Sequence, residues 1–216
     1  MQVGSRTEIG HVRTHNEDAL LVEPSAGVFV VADGMGGHPA GDVASAVAVG
    51  RLREVLVGVD GAASAASVAA ALNAAHDAVL SDSEGDSARR GMGTTAVVAV
   101  VSDDTVWVGH VGDSRCYLLP GGGELQPVTA DHGAGGYLTQ ALGLERGVSP
   151  EVAEVPLTAG DRLLLCTDGL TNMVDDGQIA TILRTSDDAQ AACDALTDAA
   201  LAAGGVDNVT TVVVGR

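Results

Sequence analysis

The chain has 216 residues, 46% of them hydrophobic and only 2% aromatic. That suits one folded domain over residues 1–216, with a core packed from Ala, Val and Leu. The formal net charge of −18 argues against nucleic acid or an anionic membrane as a partner, and any phosphorylated ligand must be attracted locally against that field.

Residues 2–9 read as a first strand, followed by a polar turn, Gly10 to Asp18, and a second strand over Ala19–Val22. Val28–Ala32 is a β-branched run with the length of a buried strand. It stops at Asp33 and opens into the glycine-rich Gly34-Met35-Gly36-Gly37-His38. Apolar residues at helical spacing predict helices over Asp42–Val57 and Ala62–Leu80, with His76 as a surface or packing residue. Ser81–Arg90 is polar and reads as a loop. Ala96–Val101 and Thr105–Val111 read as a hairpin turning at Asp103-Asp104, and Cys116–Leu119 with Glu124–Val128 as a second hairpin. Ala130–Gly147 is irregular. Asp161–Thr167 is a strand, Asp175–Leu183 and Asp187–Ala202 a helix pair, and Asn208–Val214 a closing strand. Clustered strands and paired helices favour an antiparallel α+β domain over a parallel βαβ sheet.

Cys116, Cys166 and Cys193 are widely spaced and odd in number, so neither a disulfide framework nor a zinc site is expected. No apolar signal region opens the chain and no run reaches spanning length; a cytoplasmic protein with no membrane association is expected.

One pattern repeats. Asp33, Asp113 and Asp168 each follow an apolar run, while Asp207 precedes one. In an antiparallel sheet a strand begins where its neighbour ends, so these carboxylates can gather at one edge. Gathered, they repel one another unless cations sit between them. Oxygen ligation by carboxylates and a carbonyl suits hard divalent ions such as Mg²⁺ and Mn²⁺. Glu17 and Asp18 sit where a turn could aim both at the site, and Arg13 just upstream can grip a phosphate bidentately.

Six motifs then resemble one family. Arg13-Thr14-His15-Asn16-Glu17-Asp18, Ala32-Asp33-Gly34-Met35-Gly36-Gly37-His38, Gly91-Met92-Gly93-Thr94-Thr95, Gly112-Asp113-Ser114-Arg115, Thr167-Asp168-Gly169-Leu170 and Asp207-Asn208-Val209-Thr210 stand in the order found in bacterial PP2C-type metal-dependent protein Ser/Thr phosphatases. The similarity spans about residues 4–214. It implies a four-layer αββα sandwich of two antiparallel sheets flanked by antiparallel helix pairs. It also implies two Mn²⁺ or Mg²⁺ ions: Asp33 would bridge them, Gly34 would ligate one through its carbonyl, and Asp168 and Asp207 would hold the other. Glu17 and Asp18 would act through metal-bound waters, Asp113 with Asp168 would hold a weaker third ion, Arg13 would grip the substrate phosphate, and Asn208 would orient water or substrate. The implied reaction is direct attack on phosphoserine or phosphothreonine by a metal-bridging hydroxide. The leaving alkoxide would take its proton from His38, another histidine or metal-bound water; His38 could equally cap the next helix. Implied partners are phosphorylated Ser/Thr proteins and a cognate Ser/Thr kinase pathway, with the enzyme a monomer.

Two departures stand out. Bacterial relatives carry a flap of some tens of residues after a Thr-x-Asp-His motif, whereas here, over about residues 131–147, it is shortened. Gln140 also stands where relatives commonly have Arg. The shortening predicts an open site and weak discrimination between peptides. Alternative readings are a phosphoesterase for small substrates, or a pseudophosphatase that only binds a phosphoprotein.

Overall fold

A computed structural model describes residues 1–35, 40–58, 63–134 and 137–216. In chain order the strands are β1 (Gln2–Glu8), β2 (Asp18–Glu23) and β3 (Val28–Asp33), then helices α1 (Gly41–Leu56) and α2 (Ala65–Gly85). Strands β4 (Ala96–Ser102), β5 (Thr105–Val111), β6 (Arg115–Leu119), β7 (Gln126–Pro127), β8 (Gly133–Ala134), β9 (Tyr137–Leu138), β10 (Glu151–Pro156) and β11 (Arg162–Cys166) follow. Helices α3 (Asp168–Thr171), α4 (Asp176–Thr185) and α5 (Ala189–Ala202) lead to the last strand, β12 (Val209–Gly215). Two five-stranded sheets result, ordered β1-β12-β11-β6-β7 and β10-β5-β4-β3-β2, with β8-β9 a separate two-stranded sheet. The strand pairs are antiparallel throughout.

The alternation of strand side chains builds three apolar layers. On β3, Val28, Val30 and Ala32 face α1 and α2, where they meet Ala48, Leu52 and Leu72. Phe29 and Val31 point the other way, into a layer between the sheets with Val97, Cys116, Leu165 and Val212. Across the second sheet, Leu164, Cys166 and Val213 pack against Ile179, Cys193 and Leu196 of α4 and α5. The fold is the αββα sandwich. Central strands covered on both faces explain why they read as continuous apolar runs rather than alternating ones. All three cysteines are free and buried.

Several boundaries differ from expectation. Helix α2 runs to Gly85, through Ser81–Glu84, whose polar composition reads as loop, and Ser83 is buried there. Its hydroxyl donates to the Arg89 carbonyl (3.1 Å) and accepts from the Gly91 N–H (2.9 Å). The expected helix start at Ala62 lies outside the described residues. The strand over Glu124–Val128 shrinks to Gln126–Pro127, and β10 was not foreseen. Strand β10 is an edge strand on β5 ending at Pro156, a place where a missing N–H costs nothing. Among the described residues no helix is long and apolar enough to cross a membrane.

Phe29, the chain's only phenylalanine, is fully buried between the sheets. Phe29→Ala should lower unfolding free energy by about 3–5 kcal/mol, read as a fall in the urea midpoint; a loss below about 1 kcal/mol would mean the layer refills the cavity.

Candidate active site

Strand ends set the site. Asp18 opens β2 directly opposite Asp33, which closes β3. Asp168 follows β11, and Asp207 precedes its neighbour β12. Asp113 follows β5 on a turn through Gly112. Asp33, Asp113, Asp168 and Asp207 line one cleft of about 360 Å³ together with Arg13, Met35, Thr95, Tyr137, Leu138, Leu144 and Arg146.

Close approach of backbone makes the cleft possible. The Gly34 N–H donates to the Glu17 carbonyl (3.0 Å), and a Cβ on Gly34 would run into the Gly41 carbonyl at the start of α1. The Asp33 N–H donates to the Thr95 hydroxyl (3.0 Å), and the Thr94 hydroxyl donates to the Asp33 carbonyl (2.8 Å). Both Thr residues are fully buried, so the strand end that aims Asp33 is held from beneath.

The carboxylates are costly where they lie. Burial, then the neighbouring Asp18, Asp168, Asp207 and Asp113, push the Asp33 carboxyl well above the usual range. Asp18 is pushed up to about 7, chiefly by burial; hydrogen bonds from Thr210 and Thr167 work against the rise, and Asp168 and Asp207 add to it. Burial and then Asp207 raise Asp168, while a hydrogen bond shared with Asp33 and another from Asn172 oppose the rise. Asp113 rises to about 6, by burial and then by Asp168. One oxygen of Asp18 accepts from Thr210 (2.6 Å) and Thr167 (3.0 Å). The other oxygen, Oδ1, is buried without a partner, as is Oδ1 of Asp168. Orphaned buried carboxylate oxygens in a mutually repelling group are the donor set a hard divalent cation requires.

Arg13 donates to Asp207 Oδ2 (2.7 Å) and lies 3.9 Å from Glu17 Oε2. Asn208 makes hydrogen bonds to the loop that carries Glu17. Its Oδ1 accepts from the Glu17 N–H (2.9 Å), and its Nδ2 donates to the carbonyls of Ile9 (2.9 Å) and His15 (3.0 Å). It is buried, and its amide braces the 9–17 loop at the backbone of Glu17. His38 lies outside the described residues. Arg146, Tyr137 and Leu144 were not foreseen as site residues, because only the chain's return past Thr94 brings them to the cleft.

Behind Asp113, His110, His132 and Glu151 bring ligand atoms within 4.8 Å of one another, a spacing that could hold a metal ion. His132 Nε2 is buried without a hydrogen-bond partner, 3.4 Å from Glu151 Oε1, and the other hydrogen bonds of the histidines hold backbone. His132 Nδ1 accepts from the Gly112 N–H (3.2 Å), and the His132 backbone N–H donates to the Gly112 carbonyl (2.9 Å). His110 Nε2 faces the Ala130 carbonyl (2.8 Å), and the two rings stack with centroids 4.5 Å apart. His132 thereby grips both backbone groups of Gly112, whose φ of +108° suits glycine, and steadies the turn that carries Asp113.

Residues 8–203 match the family model for protein phosphatase 2C. The chain belongs to the protein phosphatase 2C family. It is a metal-dependent protein phosphatase. It is 34% identical to the serine/threonine phosphatase stp of Listeria monocytogenes over an alignment covering 100% of this chain and 96% of that one. It is 35% identical to the serine/threonine protein phosphatase PstP of Mycobacterium tuberculosis, covering 99% of this chain and 44% of PstP. The catalytic domain of PstP, solved in complex with two manganese ions, superposes with a TM-score of 0.89 at 34% identity, over 98% of this chain and 96% of that one.

Raised carboxyl groups make a sign prediction for protein stripped of metal. A folded-state pKa above the unfolded 3.8 means stability is present at low pH and is lost as pH climbs from about 4 to about 7, where Asp18 gives up its proton. His110, lowered mainly by burial, acts in the opposite direction, but it is one group against Asp18, Asp33, Asp113 and Asp168. Thermal melts of EDTA-treated protein across that window should fall as pH rises. Added Mg²⁺ should restore stability at the upper end and do little at the lower. A melt that rises through the window would contradict this balance.

Proposed function

We propose that this phosphatase hydrolyses phosphoserine and phosphothreonine in proteins, with two Mn²⁺ or Mg²⁺ ions held in the carboxylate cleft. The observation that carries this reading is the convergence of Asp18, Asp33, Asp168 and Asp207 with orphaned oxygens on Asp18 and Asp168. Asp33 and the Gly34 carbonyl would hold one ion, and Asp33, Asp168 and Asp207 the other. Asp113, whose carboxyl is raised in part by Asp168, is the candidate for a weaker third. When bound, such ions supply the Lewis acidity that makes water nucleophilic near neutral pH and offsets charge on the phosphoryl oxygens.

The chain's own residues do the rest. Asp207 holds the Arg13 guanidinium at the cleft by one N–H, leaving the other donors of its fork for phosphate oxygens. Thr167 and Thr210 fix Asp18, and Asn208 fixes the backbone of Glu17, so both carboxylates can orient water at the ions. Because these groups sit on strand ends braced from below, little has to move when the phosphate arrives.

Residues 1–216 are taken as one catalytic domain with a shortened flap. The alignment to the Listeria phosphatase runs over 243 positions against 216 residues here, which supports a deletion. A cytoplasmic setting opposite a Ser/Thr kinase fits three free, buried cysteines, and such a kinase would supply the phosphoproteins.

Asp33→Ala should lower kcat on a phosphopeptide by more than about 100-fold, or about 2.7 kcal/mol, and EDTA should abolish wild-type turnover. Retention of a tenth of the rate would overturn the two-ion assignment. Arg13→Lys should raise KM for phosphopeptide more than it lowers kcat, since a point charge replaces a planar fork. A fall in kcat at constant KM would remove Arg13 from phosphate holding. Turnover of small phosphate esters but of no phosphopeptide would favour the small-substrate reading.

A further inference from the structure

We propose that Arg146 is a specificity-determining residue that selects substrates carrying an acidic side chain beside the phosphoresidue; this rests on the phosphatase reading above. The turn that carries Arg146 is fastened to Thr94, beside the end of β3. Leu142 and Thr94 exchange backbone hydrogen bonds in both directions, at 2.8 and 3.2 Å, and Thr94 is the residue whose hydroxyl holds the Asp33 carbonyl. The Gly143 N–H donates to Nδ1 of the buried His76 (3.1 Å). Gly143 has φ +89°, and any Cβ there would run into Val79. The chain then turns, with the Gly147 N–H on the Leu144 carbonyl at 3.2 Å. Arg146 is exposed on that turn, yet it lines the cleft that holds Arg13, Asp33, Asp168 and Asp207.

Its charge is uncommitted. Arg13 is bound to Asp207 at 2.7 Å, and Arg115, beside Asp113, makes two bonds to Asp131 at 2.8 and 2.7 Å. Arg146 donates only to a neutral group, the Leu138 carbonyl at 3.3 Å, and makes no ion pair among the described residues. Tyr137, 81% exposed, and Leu138 and Leu144 share its wall of the cleft. A peptide extending from the phosphoresidue along this wall would rest aliphatic stems on Leu144 and Leu138 and bring a carboxylate to the guanidinium fork. Tyr137, Leu138, Leu144 and Arg146 of the shortened segment thus line the cleft beside the carboxylates. Selection for an acidic neighbour also runs against the field of a chain with net charge −18, which on its own would favour basic peptides.

The test is kcat/KM on phosphopeptides identical except for Glu, Ala or Lys at positions flanking the phosphoserine, with Mn²⁺ present and at low salt. Wild type should favour the best-placed Glu over Ala by about two- to fivefold, the size of an exposed ion pair, expressed in KM and weakened by salt. Arg146→Lys should keep part of that ratio, Arg146→Ala should abolish it, and Arg146→Glu should invert it toward Lys. Ratios within one variant cancel any general loss of activity. A wild type that turns over all the peptides equally, a preference that survives Arg146→Ala, or a uniform fall across all peptides in Arg146→Ala would each overturn the proposal; the last would place Arg146 on the common phosphate. A wild type inert toward every peptide would instead overturn the phosphatase reading, and this proposal with it.

Discussion

Asp18, Asp33, Asp113 and Asp168 are pressed together in surroundings that penalise their charge, and the rest of the structure answers to that constraint. Removing a carboxylate from water is expensive, and placing another beside it is more so. The protein offsets this only in part. Threonine hydroxyls serve one oxygen of Asp18, Asn172 serves one oxygen of Asp168, and Arg13 serves Asp207. Oδ1 of Asp18 and Oδ1 of Asp168 stay buried without partners. A folded chain can carry such a cluster only if stability comes from elsewhere. Here it comes from three apolar layers in which aliphatic side chains are buried on both faces of each sheet.

The same architecture supplies precision. Each ligand candidate stands at or within two residues of a strand end, and the strands are clamped between helices and each other. Beneath them lies a set of short polar side chains whose bonds run to backbone. Thr94 and Thr95 hold Asp33, Ser45 donates to the Glu17 carbonyl (2.6 Å), and the Asn208 amide ties three segments of the 9–17 loop. Small residues permit the crowding: a Cβ on Gly169 would run into the Asn208 carbonyl, just as one on Gly34 would meet Gly41. Backbone from four places in the sequence thus meets at one point, and the carboxylates have little freedom to swing apart.

Legibility followed the physics. The Asp-terminated strands were readable because strands covered on both faces become unbroken apolar runs, and a carboxylate at the end of such a run has to answer to something. Strand β10 was not readable: Glu151–Pro156 follows Pro150 and ends in a proline, is half-exposed, and gains its strand character from pairing with β5. The last turn of α2 was hidden because its composition is that of a loop, and the helix is continued there by tertiary bonds through Ser83. The bracing bonds of Asn208 were not readable, since sequence gives a residue's neighbourhood but not how its hydrogen bonds are spent. Arg146 left no local signal. It reaches the cleft through the pairing of Leu142 with Thr94, a contact between segments nearly fifty residues apart.

Charge at two length scales completes the picture. The surface is strongly acidic, so a phosphorylated partner is repelled at a distance, but in physiological salt that repulsion fades beyond about 8 Å. Inside the cleft the sign reverses, at the guanidinium groups of Arg13 and Arg146 and at whatever cations the carboxylates hold. Attraction confined to contact range, within a repulsive exterior, does little for encounter and much for discrimination. A ligand gains only if its negative groups are spaced to meet those few positive ones. A phosphate alone engages Arg13 and the cations. A phosphate with a carboxylate alongside can also engage Arg146, whose segment is held at the cleft by the Thr94–Leu142 pairing.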